Sequence, residues 1–168
     1  MYDYVLCDTP PELFQPTILG LYAADYIIIP SNMDELSREG AKLFLKDVLP
    51  EIMTTKKVIS NKSLRVLGVV LVNTPKRCKQ KTFNKLNADF TKFIKNYLPP
   101  VIAENIYERP LFNTIIHRNR ELADLIYRPR RRGLPLDRVL KRHTSLRWEV
   151  ESFREEVLTR MRNFRGLT

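Results

Sequence analysis

Three places along the chain combine a short apolar run with side chains able to do chemistry. Tyr2-Asp3-Tyr4-Val5-Leu6-Cys7 runs into Asp8-Thr9-Pro10-Pro11. Aromatic and aliphatic residues suit a pleated strand, and the proline pair ends it because proline cannot donate to a ladder. A carboxylate then stands at the C-terminal end of a predicted strand, where open α/β sheets bind ligands. An acid followed by a hydroxyl suits a hydrated Mg²⁺ beside a phosphate. The competing reading makes Asp8 a loop carboxylate that caps local amides. Asn73 follows the apolar run Val66–Val72. Its carboxamide has the donor and acceptor that adenine requires, and it is equally a turn former before Thr74-Pro75. His117-Arg118-Asn119 closes a further apolar run, and a lone His with no ligand partner nearby reads as structural.

Charge marks a second activity. Residues 1–75 carry 7 Lys/Arg against 9 Asp/Glu, whereas residues 76–168 carry 22 against 10, so the second part holds the whole net excess of +10. Between Ile116 and Trp148 there are ten Lys/Arg and three Asp/Glu. Arg118, Arg120, Arg128, Arg130, Arg131, Arg132, Arg138, Lys141 and Arg142 are the candidate phosphate contacts. Such contacts hold a protein on DNA without reading its sequence, and salt weakens them. The plain alternative is a solvated basic face. No helix-turn-helix, zinc-finger or aromatic RNA-platform pattern is present to read a specific sequence.

The elements that position these residues follow from periodicity. Tyr26–Ile29 and Val66–Val72 are continuous apolar runs, as in strands covered on both faces, and 110–116 reads as a last strand. Phe14–Ala24 reads as a loop and short helix. Met33 or Asp34 opens another helix, which Pro50 kinks or ends, and 56–63 reads as a polar loop. Phe83, Leu86, Phe90, Phe93, Ile94 and Tyr97 form one face of a helix closed by Pro99-Pro100. A short helix is expected from Asn119 to Tyr127. From about Pro135 a long helix places Leu146, Val150, Phe153, Val157, Met161 and Phe164 on one stripe, with Arg154, Arg160, Arg162 and Arg165 off it. Alternating strands and helices predict an α/β fold, a mostly parallel sheet with flanking helices and a C-terminal helix. The expected division is 1–136 for the α/β part and 137–168 for the terminal helix.

With 43% hydrophobic and 29% charged residues, the chain has the composition of a globular domain. No apolar run approaches the roughly 20 residues needed to span a bilayer. Cys7 and Cys78 are too few for a disulfide framework, and the first residues lack the basic start and apolar centre of a signal peptide. The expectation is a cytoplasmic protein.

The strand–Asp8-Thr9-Pro10-Pro11 segment resembles the Walker B region of the ParA/MinD group of deviant P-loop ATPases, and within it the ParA/Soj-type partition proteins. Ala23–Pro30, Leu36–Gly40, Leu67–Asn73, Phe112–Leu122 and Gly133–Leu136 resemble later family blocks, in family order. The resemblance covers roughly 1–136. It implies that Asp8 orients Mg²⁺ through water, that Thr9 and Pro10 shape the same loop, and that Asn73 meets adenine. His117-Arg118-Asn119 falls where many members have Pro-Arg-Asn near the base, with His117 replacing the proline. It assigns no catalytic base. It further implies ATP and Mg²⁺ as cofactors of the intact family, nonspecific DNA and a ParA-like homodimer as partners, and a ParB-like adaptor.

The family's glycine-rich phosphate loop is missing: no G-x-x-x-x-G-K-[ST] occurs, and the glycines stand apart at 20, 40, 68, 133 and 166. The expectation is therefore a truncated ParA-like ATPase that alone neither binds ATP tightly nor hydrolyses it. The alternative is a P-loop-less module that binds DNA or a partner ATPase. A third reading is a MinD-like membrane-surface fragment. Glu149, Glu151, Glu155 and Glu156 on the tail weaken it, because anionic lipid repels them.

Overall fold

A computed structural model of the chain describes residues 2–10, 12–119 and 144–165. Strands β1 (Tyr26–Ser31), β2 (Arg65–Thr74) and β3 (Leu111–His117) lie side by side in that order, all parallel. Parallel neighbours need crossover connections, and helices supply them. Helices α2 (Glu35–Leu43) and α3 (Leu49–Ser60) carry the chain from β1 to β2, and α4 (Gln80–Tyr97) and α5 (Pro100–Ala103) carry it from β2 to β3. Helix α1 (Gln15–Ala23) precedes β1, and α6 (Thr144–Arg165) follows β3. The predicted α/β architecture is the one observed.

Strand β2 is apolar from Val66 to Val72 because both of its faces are covered. Val69 and Leu71 pack with Leu111 and with Phe83, Leu86 and Phe90 of α4. Leu67 and Val70 face the other way, with Phe112 of β3 and Phe164 of α6. A third cluster joins Leu45, Leu49, Ile52 and Met53 to Leu64, Val66, Ile102 and Ile106. Each such side chain stabilises by about 1.5–3 kcal/mol when fully buried. The terminal stripe docks as its periodicity predicts. Leu146 and Phe164 are buried and Phe153, Val157 and Met161 half-buried, while Val150 is left exposed.

Three expectations are corrected. Tyr2–Cys7 is no strand: Tyr2 and Leu6 are 91% and 94% exposed. Strand geometry persists only when a neighbour satisfies its backbone, and among the described strands none pairs with this segment. The chain just beyond it is held instead against α1. The Thr17 hydroxyl donates to Glu12 O at 2.7 Å, with Pro10 O at 3.2 Å.

The regular α-helix does stop ahead of Pro50, at Leu43, but the helical run does not end there. A five-residue π-helical stretch, Phe44–Val48, lets the chain restart as α3 with the proline in its first turn, where a missing N–H costs nothing. The polar stretch from Lys56 continues α3 to Ser60, with Asn61 closing it at a left-handed φ of 53°. Lys56 itself is 3% exposed, its Nζ donating to Tyr22 O (2.6 Å) and Ala24 O (2.8 Å) and so closing the C-terminus of α1.

Arg160, expected off the stripe, is 2% exposed and lies against the sheet. Its guanidinium donates to Leu67 O (2.6 Å), Arg109 O (2.9 Å), Leu111 O (2.6 Å) and Glu156 Oε1 (2.8 Å). It also stands 4.0 Å from the ring centre of Phe112 and 4.5 Å from that of Tyr107. Gly68 makes the room. Its φ is +139°, and a Cβ there would stand 2.5 Å from Arg160 Nη1 and 2.6 Å from Pro110 O.

Candidate functional site

The C-terminal ends of β2 and β3 bring together residues 45 positions apart in sequence. β2 finishes with Asn73 in the left-handed region, φ 52°, a conformation Asn tolerates better than most residues. The turn leaves Asn73 exposed while Thr74 is fully buried. Arg118, just past β3, spans the gap twice. Its backbone N–H donates to Thr74 O at 2.8 Å, and its Nε donates to Asn73 Oδ1 at 3.0 Å.

His117 is tied from behind. Glu149, buried on α6, accepts the His117 backbone N–H at Oε2 (3.0 Å) and faces Nδ1 with Oε1 at 2.9 Å. The histidine thus anchors the end of β3 to α6. Further along α6, Glu156 repeats the device on the outer edge of β3, accepting from Asn113 N (2.8 Å), Thr114 N (2.9 Å) and Thr114 Oγ1 (2.9 Å). Burial pushes the Glu156 carboxyl up. The hydrogen bonds from Asn113 and Thr114 and the charge of Arg160 outweigh that and hold it below the usual carboxylate range.

Lys76, His117, Arg118, Asn119, Ser145, Leu146 and Glu149 line a shallow cleft at this edge. Beyond it, Lys76, Arg77, Lys79, Lys81 and Lys85 are all exposed on the β2–α4 turn and the first turns of α4, and no acidic residue occurs from Pro75 to Ala88. The first turn of α4 holds no acid, although acids are what the positive end of a helix favours. Sequence reasoning misses these five bases as candidates. Their signal in the sequence is the absence of acids across the run, which a count over the whole second part hides.

The remaining candidates fall elsewhere. Asp8, Thr9 and Pro10 are exposed on the N-terminal segment beside α1, and among the described residues no hydrogen bond joins them to Asn73, His117 or Arg118. Arg120, Arg128, Arg130, Arg131, Arg132, Arg138, Lys141 and Arg142 lie outside the described residues. So do most of the expected 119–127 helix and Gly133–Leu136.

The residues present do not by themselves fit Mg²⁺–ATP. Asp8 stands on a segment without strand neighbours, the sequence holds no glycine-rich phosphate loop, and among the described residues no three His, Cys, Asp or Glu side chains gather into a metal-ligating group. Among the described residues no helix is long and apolar enough to cross a membrane.

Comparison with known proteins places this geometry. The AAA domain family model matches residues 1–66. The chromosome-partitioning ATPase Soj of Treponema pallidum is 30% identical over 125 residues, 73% of this chain and 41% of that protein. The sporulation initiation inhibitor protein Soj of Bacillus subtilis is 27% identical over 140 residues, 79% of this chain and 47% of that one. The chain therefore spans less than half the length of these curated relatives. A solved structure of pNOB8 ParA bound to nonspecific DNA shares the fold with a TM-score of 0.61 at 22% identity, covering 85% of this chain and 49% of that chain. From these matches and the parallel sheet with its covering helices, the chain is a relative of the ParA/Soj-type partition ATPases.

Proposed function

We propose that the chain acts in DNA partition, holding DNA nonspecifically through the basic edge at the ends of β2 and β3. One observation carries this reading. Arg118 and five exposed bases, Lys76, Arg77, Lys79, Lys81 and Lys85, share one end of the sheet with no acid among the residues from Pro75 to Ala88. Arg120, Arg128, Arg130, Arg131, Arg132, Arg138, Lys141 and Arg142 extend the same charge along the sequence. Each neutralised phosphate releases counterions, so the attraction needs no base contact. The DNA bound by the pNOB8 relative is in keeping with this.

In this reading residues 1–136 are the ATPase-like part and 137–168 the terminal helix. ATP-gated dimerisation with a ParA-like partner, Mg²⁺ orientation by Asp8 and stimulation by a ParB-like adaptor belong to the assembled family machine. They require a phosphate loop that this sequence does not contain. A second reading is a non-catalytic module that binds DNA or a partner ATPase, which the basic edge suits equally. The membrane-surface reading is opposed by α6, which buries Leu146 and packs Phe164 against Leu67, Val70 and Phe112 of the sheet.

The test is titration of a short duplex with the purified chain at several salt concentrations. Binding should fall steeply with salt. Replacing Lys76, Arg77, Lys79 and Lys81 by Ala should flatten the log–log slope by about 0.9 for each phosphate that is no longer neutralised. An unchanged slope in that variant, or no binding at low salt by the parent chain, overturns the reading.

A further inference from the structure

We propose that Trp148 is a stacking platform for an unpaired base, so that the chain holds single-stranded DNA as well as duplex. This rests on the reading that the basic edge binds DNA. Trp148 is 68% exposed on the second turn of α6. The other aromatic residues of that helix are packed on the sheet. Phe164 is buried with Leu67, Val70 and Phe112, and the Phe153 ring centre lies 5.1 Å from that of Phe112. Trp148 stands off this stripe, and among the described residues no ring stacks on it and no cation lies over it. An aromatic side chain of this size covers about 150–250 Å² when buried, so the fold leaves a large flat apolar face in water.

The charges around that face select the occupant. Ser145 and Glu149 of α6 line the cleft with Lys76, His117 and Arg118. Trp148 is three positions after Ser145, on the same side of the helix and about 4.5 Å further along its axis, so it borders the cleft. Lys76 and Arg118 are exposed there, and the bond from Arg118 Nε to Asn73 Oδ1 at 3.0 Å holds the arginine in place. The nearby acids are already engaged. Both oxygens of Glu149 face His117, through its backbone N–H and Nδ1. Glu151, one turn beyond Trp148, pairs with Arg147 at 2.8 Å. A polyanion therefore meets cations beside an open aromatic face. That combination holds single strands: cations follow the phosphates, and the ring takes a base without reading its identity. A duplex keeps its bases stacked on one another and offers this edge its phosphates alone. The indole thus strengthens binding of the single strand and leaves the duplex as it was.

Trp148 is the single tryptophan of the chain, so its emission reports on this site alone. The experiment titrates the full chain at low salt with oligothymidylate of about ten nucleotides and with a duplex of the same length. Emission is followed with unlabelled DNA, and affinity by the anisotropy of end-labelled DNA. The single strand should quench Trp148, and the duplex should bind with the emission unchanged. Trp148→Ala should weaken single-strand binding about 5- to 100-fold, the value of one stacked base, and Trp148→Phe should recover most of it. In both variants the duplex affinity, its salt slope and the circular dichroism should match the parent, because the side chain lies outside the core. A single strand that binds without quenching overturns the assignment. So does a duplex that quenches equally, or a Trp148→Ala chain that binds oligothymidylate as tightly as the parent. If neither form of DNA binds at low salt, the DNA-binding reading falls with it. Duplex binding that persists while the single strand ignores Trp148 removes this assignment alone.

Discussion

Arg160 is a charged side chain at 2% exposure, and the sheet is shaped to receive it. Its donors meet three backbone carbonyls that β2, β3 and the turn before β3 would otherwise leave facing an apolar layer, and Glu156 balances its charge at 2.8 Å. Removing one partner of such a pair leaves the other buried without compensation, which costs about 3–5 kcal/mol. Arg160→Met should therefore lower the unfolding free energy in urea by that much, despite its similar length. Gly68→Ala should act through the same contact. A Cβ at φ +139° is strained and also collides with Arg160 Nη1, so a loss of at least about 2 kcal/mol is expected in the same assay. The pH dependence follows from Glu156. Its pKa is depressed on folding, so its contribution is present above the unfolded value of about 4.3 and lost as pH falls through the lower folded value. Acid unfolding of the parent chain should steepen below about pH 4, and Glu156→Gln should flatten that limb. An identical acid limb in both proteins would show that Glu156 does not carry this dependence.

At the scale of elements, the sequence spoke clearly where one physical rule decided the outcome. The unbroken apolar runs at 26–29 and 66–72 became β1 and the doubly covered β2, and the stripe from Leu146 to Phe164 became the docked face of α6. It failed where the deciding partner lies far along the chain. Tyr2–Cys7 has strand composition but no neighbour, and composition cannot supply one. Lys56 looked like a loop residue because its partners, Tyr22 and Ala24, are more than thirty positions away. The site divides in the same way. Asn73, His117 and Arg118 were visible as residues ending apolar runs. The Asn73–Arg118 bond and the Glu149 anchor, 45 and 32 positions apart, exist only once the strands are parallel and α6 is docked. Lys56 offers a check on that account. If it is the cap of α1 rather than a surface lysine, Lys56→Met should cost about 1–3 kcal/mol by stranding two carbonyls, while Lys57→Met, on the exposed side of α3, should cost less than about 0.5 kcal/mol.

For the whole molecule, the sheet order leaves β1 at one border, while β3 at the other is covered by α6 through Glu156 and Phe153. The two borders are therefore unequal. On β3 a carboxylate already satisfies the outward N–H groups of Asn113 and Thr114, so little remains there for another strand to bond. At β1 no described strand lies beyond Tyr26–Ser31, and the same chain exposes Tyr2, Tyr4, Val5 and Leu6, with Leu13 and Phe14 just after them. That is an apolar segment of high strand propensity in a chain whose β1 has no described partner on its outer side, the combination that natural proteins blunt with charge or cover. Net charge opposes association only weakly here, because the excess of bases lies in residues 76–168 and residues 1–75 are close to neutral. The purified chain should therefore sediment as dimers or larger species at micromolar concentration and dissociate on dilution. Val5→Lys with Leu6→Lys should return it to a monomer without altering its circular dichroism, since neither residue contributes to the core. Charge reversal on the basic edge, Lys79→Glu with Lys81→Glu, should leave the association state alone. A parent chain that stays monomeric, or a double lysine variant that associates as before, would mean that this border is protected by something other than a partner strand.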